Sequence, residues 1–147
     1  MNIIHADISH VEQLAPLFDA YRQFYKQPSD LAAARAYLQA RLENHQAQVY
    51  LATRGGTILG FALCYSTFSS VAIKPLVVLN DLFTIPEARG KGVGTALLEV
   101  CKLYALESGA AILRLRTAQD NFVAQRVYEK FGFIRDLIYE TYDLKLT

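Results

Sequence analysis

Pro86-Glu87-Ala88-Arg89-Gly90-Lys91-Gly92-Val93-Gly94-Thr95 is the stretch on which the fold turns. It follows Leu76 to Thr84, a nearly all-apolar run that reads as a strand covered on both faces. Pro86-Glu87 ends that strand, and a helix is expected from Gly92 to Ser108. A helix start leaves backbone N–H groups without intrahelical partners, and its dipole favours negative charge there. Glycine lets an anion approach the backbone closely. Arg89 and Lys91 add positive charge, so a diphosphate is the natural occupant. The spacing selects among diphosphate ligands. Gly90-Lys91 is followed by Gly92 rather than Ser or Thr, and Ile85 stands where a Walker loop has its first glycine. A dinucleotide GxGxxG fails too: Thr95 or Leu97 falls in the third glycine's place. Both a nucleoside-triphosphate and a dinucleotide reading are therefore disfavoured.

Working outward, Asn2 to Ile8 reads as a first strand. Ser9, with Glu12 three residues on, reads as a capping box for a helix to about Tyr25. Val11, Leu14, Leu17, Phe18, Tyr21 and Tyr25 form its apolar stripe. Pro28 breaks it, and Ser29 or Asp30 caps a second helix to about Glu43. Gln48–Arg54 and Thr57–Phe68 read as a hairpin about Gly55-Gly56, a turn needing positive φ. Beyond the loop helix, Ala111–Thr117 reads as a strand and Asn121–Phe131 as a short helix closed by Gly132 and Phe133. The alternation in Ile134–Lys145 predicts one or two further strands. The order is β-α-α-β-β-β-α-β-α-β(-β), an α/β mixed sheet with helices on both faces.

At 147 residues the chain has the length of a single domain, expected over 1–147. Fifteen basic and 14 acidic residues give a net charge of +1, which argues against a broad nucleic-acid surface. No apolar run is long enough for a membrane span, and the start lacks the pattern of a signal peptide, so no membrane partner and a cytoplasmic location are expected. Cys64 and Cys101 read as buried small hydrophobes. The three histidines make no cluster of metal-ligand spacing, so no metal is expected.

Arg89, Gly92 and Gly94 match an Arg/Gln-x-x-Gly-x-Gly/Ala loop, and the chain resembles the GNAT family of N-acetyltransferases. Asn80-Asp81-Leu82-Phe83-Thr84 is similar to the family's fourth strand, and Tyr128-Glu129-Lys130-Phe131-Gly132-Phe133 to its closing helix. The early segment Tyr21–Tyr25 and the short length look like the histone and polyamine acetyltransferase branch. The resemblance implies the GNAT fold, with a mostly antiparallel central sheet, and acetyl-CoA as co-substrate. It implies that Arg89, Gly90, Lys91, Gly92, Val93, Gly94 and Thr95 hold the diphosphate. Backbone groups of Leu82, Phe83 and Thr84 would hold the pantetheine arm, where the fourth and fifth strands splay apart. Asn121 would bond the same arm; its alternative role is a helix N-cap.

The implied reaction is aminolysis of a thioester. It needs a neutral amine, a stabilised carbonyl oxygen and a proton for the departing thiolate. The resemblance places Tyr128 as general acid, and a tyrosine hydroxyl of reference pKa about 10 is protonated at neutral pH. By spacing alone Tyr128 is a core aromatic. Polyamine-type relatives carry a Glu-Asp pair in the fourth strand; here the pair is Asn80-Asp81, so the glutamate is absent and Asp81 is left as candidate base. The alternative for Asp81 is an acid paired with a cation or capping backbone. Glu140 and Asp143 are weaker candidates. Tyr21, Phe24, Tyr25 and Asn80 are candidates to line the pocket of the amine acceptor. The tyrosine- and leucine-rich tail predicts a homodimer. Rival classes are a non-catalytic acyl-CoA sensor and an acetyltransferase toxin acting on charged tRNA; the latter needs a basic face that this charge balance does not supply.

Overall fold

The computed structural model describes residues 1–147 as two compact units, Met1–Arg116 and Thr117–Thr147. In the first, β1 (Asn2–His5), β2 (Gln48–Arg54), β3 (Thr57–Ser69), β4 (Lys74–Thr84) and β5 (Ile112–Leu115) form one sheet in the order β1-β2-β3-β4-β5. The first three pairings are antiparallel and β4–β5 is parallel. Gly55 and Gly56, at φ 56° and 79°, supply the two left-handed residues of the β2–β3 turn.

Helices cover both faces of this sheet. α1 (Val11–Phe24) and α2 (Leu31–Glu43) place Leu14, Ala15, Phe18, Ala34 and Leu38 against Val49, Leu51, Phe61 and Leu63. On the other face, α3 (Val93–Glu107) sets Cys101 against Cys64, sulfur to sulfur at 3.5 Å, with both thiols free and fully buried. The contact with Cys101, together with burial, pushes the Cys64 thiol far above its ordinary range, as suits a packing residue.

Two local expectations differ from the structure. The first helix is capped two residues earlier than the Ser9–Glu12 pattern suggests. Asp7 accepts from the Ser9 N–H at 2.8 Å while the His10 ring accepts from the Asp7 N–H at 3.0 Å. That reciprocal pair closes a short 3-10 turn, Ile8–His10, before α1 begins. The second difference is the tail. In the second unit α4 (Phe122–Phe131) is followed by no strand: residues 134–147 carry neither helix nor strand. Alternation sorts side chains to two sides but supplies no ladder partner. Here the Asp136 carboxylate accepts from the N–H groups of Ile138 and Tyr139, at 2.9 and 3.1 Å. Such a local turn competes with an extended run.

Candidate active site

β4 runs on to Thr84, but its parallel pairing with β5 ends at Leu79–Leu115. From Asn80 onward the β4 edge that faces β5 has no strand partner. The same point carries a bulge on the other side. Leu79 pairs with Cys64 and Asp81 with Leu63, so Asn80 is the extra residue. The free edge thus covers Leu82, Phe83 and Thr84, whose backbone the resemblance assigns to a pantetheine arm.

The loop after β4 turns on glycines and leads into a helix start without a side-chain cap. Gly90 and Gly92 lie at φ 74° and 84°, conformations that side chains disfavour. Gly92 occupies the N-cap of α3 and offers no side-chain acceptor, so no capping group covers the first-turn N–H groups of Val93, Gly94 and Thr95. Gly94 differs from its neighbours. Its φ is ordinary, and a Cβ built there would meet nothing within 4 Å, so the missing side chain leaves open space over the helix start. Lys91 lines a depression beside the loop with Arg54 and Glu87. Gly60 was not singled out from sequence. A Cβ there would lie 2.6 Å from the Phe83 carbonyl oxygen, so glycine is what lets β3 approach the end of β4.

On the α1 side the candidate acceptor residues come together around Asp81. This carboxylate is buried, at 7% exposure. It accepts from the Asn80 amide at 3.0 Å and is hydrogen-bonded by Tyr21. No cation forms an ion pair with it, and no backbone cap engages it. Burial raises its pKa above the ordinary carboxylate value, outweighing the two hydrogen bonds. The expected alternative, an acid neutralised by a nearby cation, is absent. Tyr21 stacks edge-on to Phe61 (5.6 Å), Phe83 (5.9 Å) and Tyr25 (5.1 Å), and Phe24 lies 6.5 Å from Phe83. Tyr21 is half-buried against the core; Phe24 and Tyr25 are exposed. Arg89 leaves the loop toward this cluster: its Nε donates to the Thr84 carbonyl at 3.0 Å, and its guanidinium carbon lies 5.7 Å from the Phe83 ring centre and 5.9 Å from that of Phe24.

The second unit holds the other candidates. Asn121 caps α4, its side-chain oxygen accepting from the Ala124 N–H at 3.2 Å. The Tyr128 carbonyl accepts from the N–H of Phe133 at 3.0 Å, and that of Glu129 from Gly132 at 3.1 Å, the paired bonds of a Schellman ending. The Tyr128 ring lies edge-on to Phe133 at 6.0 Å. Glu140 and Asp143 fall in the irregular tail.

These features define a class. The family model described as "Acetyltransferase (GNAT) family" matches residues 12–133. An uncharacterised N-acetyltransferase of Bacillus subtilis, YhfO, is 45% identical over 146 residues, covering 99% of this chain and 98% of its own. An uncharacterised N-acetyltransferase of Archaeoglobus fulgidus is 31% identical over 114 residues, covering 74% of this chain and 78% of its own. The crystal structure of a probable acetyltransferase superposes with a TM-score of 0.95 at 38% identity, over 100% of this chain and 99% of that one. The fold is that of the GNAT acyltransferases. This chain belongs to the GNAT acetyltransferase family.

Proposed function

We propose that this chain is one N-acetyltransferase domain over residues 1–147, moving the acetyl group of acetyl-CoA onto a primary amine. The observation that carries this reading is Asp81, a buried carboxylate whose only bonded partners are the neutral side chains of Asn80 and Tyr21. Burying an acid without a counter-charge is costly. The cost is offset when the ligand brings the charge, as an ammonium does. A lysine-like ammonium has a pKa near 10.4, so only about one molecule in 10³ is neutral at pH 7. A carboxylate whose pKa is raised accepts that proton more readily than an ordinary one.

The other roles follow the elements. The backbone of Arg89 to Thr95 cradles the diphosphate, with Lys91 adding charge. The unpaired edge at Leu82, Phe83 and Thr84 bonds the pantetheine arm and polarises the thioester carbonyl. Asn121, its oxygen committed to the cap, has its amide N–H groups left for the same arm. Tyr128 gives its hydroxyl proton to the departing sulfur. Tyr21, Phe24, Tyr25 and Asn80 line the acceptor side.

Gly94→Leu tests the donor half. The position has an ordinary φ and open space about a Cβ, so the fold tolerates the change and the helix gains from losing a glycine. The leucine fills the space proposed for phosphate. Calorimetry should show acetyl-CoA affinity falling by about 10²-fold or more, since one charge-assisted bond alone is worth about 1.5–3 kcal/mol and several are lost. Unchanged affinity in a well-folded variant would put the diphosphate elsewhere.

We further propose that two copies pair through the tail, where Ile134, Leu137, Ile138, Tyr142, Leu144 and Leu146 are all exposed. Light scattering should give twice the monomer mass for the full chain and the monomer mass after removal of 134–147. A monomeric full chain at high concentration would contradict the pairing.

A further inference from the structure

We propose that the acceptor carries a carboxylate as well as its amine, so that Asp81 takes the ammonium and the Arg89 side chain takes the anion. This rests on the acetyltransferase reading and narrows it to a substrate class, amino-carboxylates with an apolar or aromatic body.

The argument begins with the charges around the acceptor aromatics. Asp81 is the only acid bonded into that cluster. The other acids of the α1–α2 segment are engaged elsewhere. Asp19 accepts from Ser29, Gln23 and the Asp30 N–H; Asp30 caps α2 at Ala33; Glu12 pairs with Arg35. On the α1–α2 side, a polycationic acceptor such as a polyamine or an aminoglycoside would find Asp81 for one ammonium and the remaining acids already engaged. Unpaired charges brought to a partly desolvated surface weaken binding.

Arg89 supplies the opposite sign. Its guanidinium lies over Phe83 and Phe24 and has no carboxylate partner in the chain. Only Nε is spent, on the Thr84 carbonyl. That bond fixes the plane of the group and leaves its terminal nitrogens to donate in the fork geometry that suits a carboxylate. Asp81 and Phe83 project from the same face of β4, each opposite an α1-facing residue of β3, Leu63 and Phe61. Along one face of a strand, residues two apart are separated by about 6.8 Å. Carboxylate, aromatic ring and guanidinium therefore follow one another along the strand. An acceptor lying along this row meets a negative group at one end and a positive one at the other.

The same guanidinium could instead reach the donor's phosphates, since its backbone belongs to the loop. Matched acceptor pairs separate the two roles. Lysine and 1,5-diaminopentane differ by one carboxylate, as do phenylalanine and 2-phenylethylamine. Wild-type protein should acetylate the carboxylated member of at least one pair with kcat/KM about 10-fold or more above its partner, and above spermidine and kanamycin. Arg89→Gln should bring that ratio to near one. A purely donor-binding role lowers both members together and leaves the ratio intact, because both use the same acetyl-CoA. Faster turnover of the decarboxylated members or of spermidine, or a ratio unmoved in Arg89→Gln, overturns the proposal while the acetyltransferase reading stands. No turnover of any acceptor by protein shown to bind acetyl-CoA removes both.

Discussion

Tyr128→Phe should lower turnover by about 10²- to 10⁴-fold while the melting temperature and acetyl-CoA affinity stay nearly unchanged. The substitution removes one O–H and keeps the ring, so the edge-on packing on Phe133 survives. The bonds that close α4 use the Tyr128 backbone, which the change does not touch. On the proposed mechanism, the change takes away the proton offered to the departing thiolate. If Tyr128 were only a packing residue, the pattern would invert: normal rates, with any loss appearing in the melt. Steady-state kinetics with a competent amine, run beside a thermal scan, separates the two patterns. A folded Phe variant with wild-type turnover would remove Tyr128 from the mechanism.

Asp81→Asn should cost a comparable amount of activity, about 10²-fold or more, yet make the protein more stable at neutral pH. Asparagine keeps an oxygen to accept from Asn80 and removes a buried charge. Because burial raises the pKa in the folded state, the folded chain holds this proton to higher pH than the unfolded chain does. In that window stability falls as pH rises, the reverse of an acid held by an ion pair. The gain from the substitution should therefore be absent below the ordinary carboxylate pKa and present at pH 7, about 1 kcal/mol or a few degrees in Tm. The pH profile offers an independent reading. Wild-type kcat/KM should show an acid limb, displaced upward from the ordinary carboxylate range, that the Asn variant lacks. Lower stability of Asp81→Asn at neutral pH would mean that the carboxylate is paired in solution and is no free base.

The sequence announced some of this in local chemistry. Gly55-Gly56, the loop at Gly90 and Gly92, and the Gly132–Phe133 ending each need a conformation that few residues provide, so their identity and position carry the geometry. The apolar density of β4 likewise signalled a strand with both faces covered. Features that depend on a partner strand were silent. The bulge at Asn80 exists only in register with Leu63 and Cys64, and the need for glycine at 60 appears only when the Phe83 carbonyl is placed against it. Asp81 was visible as a candidate, but the lack of a counter-ion is a property of its surroundings. The tail misled for the opposite reason. Its alternation is a genuine pattern, and Asp136 diverts the backbone before a ladder can form. The cap of α1 shifted because Asp7 and His10 satisfy each other, a pairing outside the usual Ser/Thr and Glu/Gln vocabulary.

Asn80 also sets the parity of β4. Before it, odd-numbered residues look toward α3: Val77 and Leu79 oppose Ser66 and Cys64, which bond Tyr104 and Cys101. After it, odd-numbered residues look toward α1: Asp81 and Phe83 oppose Leu63 and Phe61. One inserted residue thus turns the strand half a step. The same chain with Asn80 pleated into the ladder rather than bulged out of it would keep its composition, its helices and its strand order, yet would aim Asp81 at the cysteine side and turn Leu82 toward α1. The face that Asp81 serves is thus decided by a bulge in the ladder, which no exchange of one side chain for another elsewhere in the strand can replace.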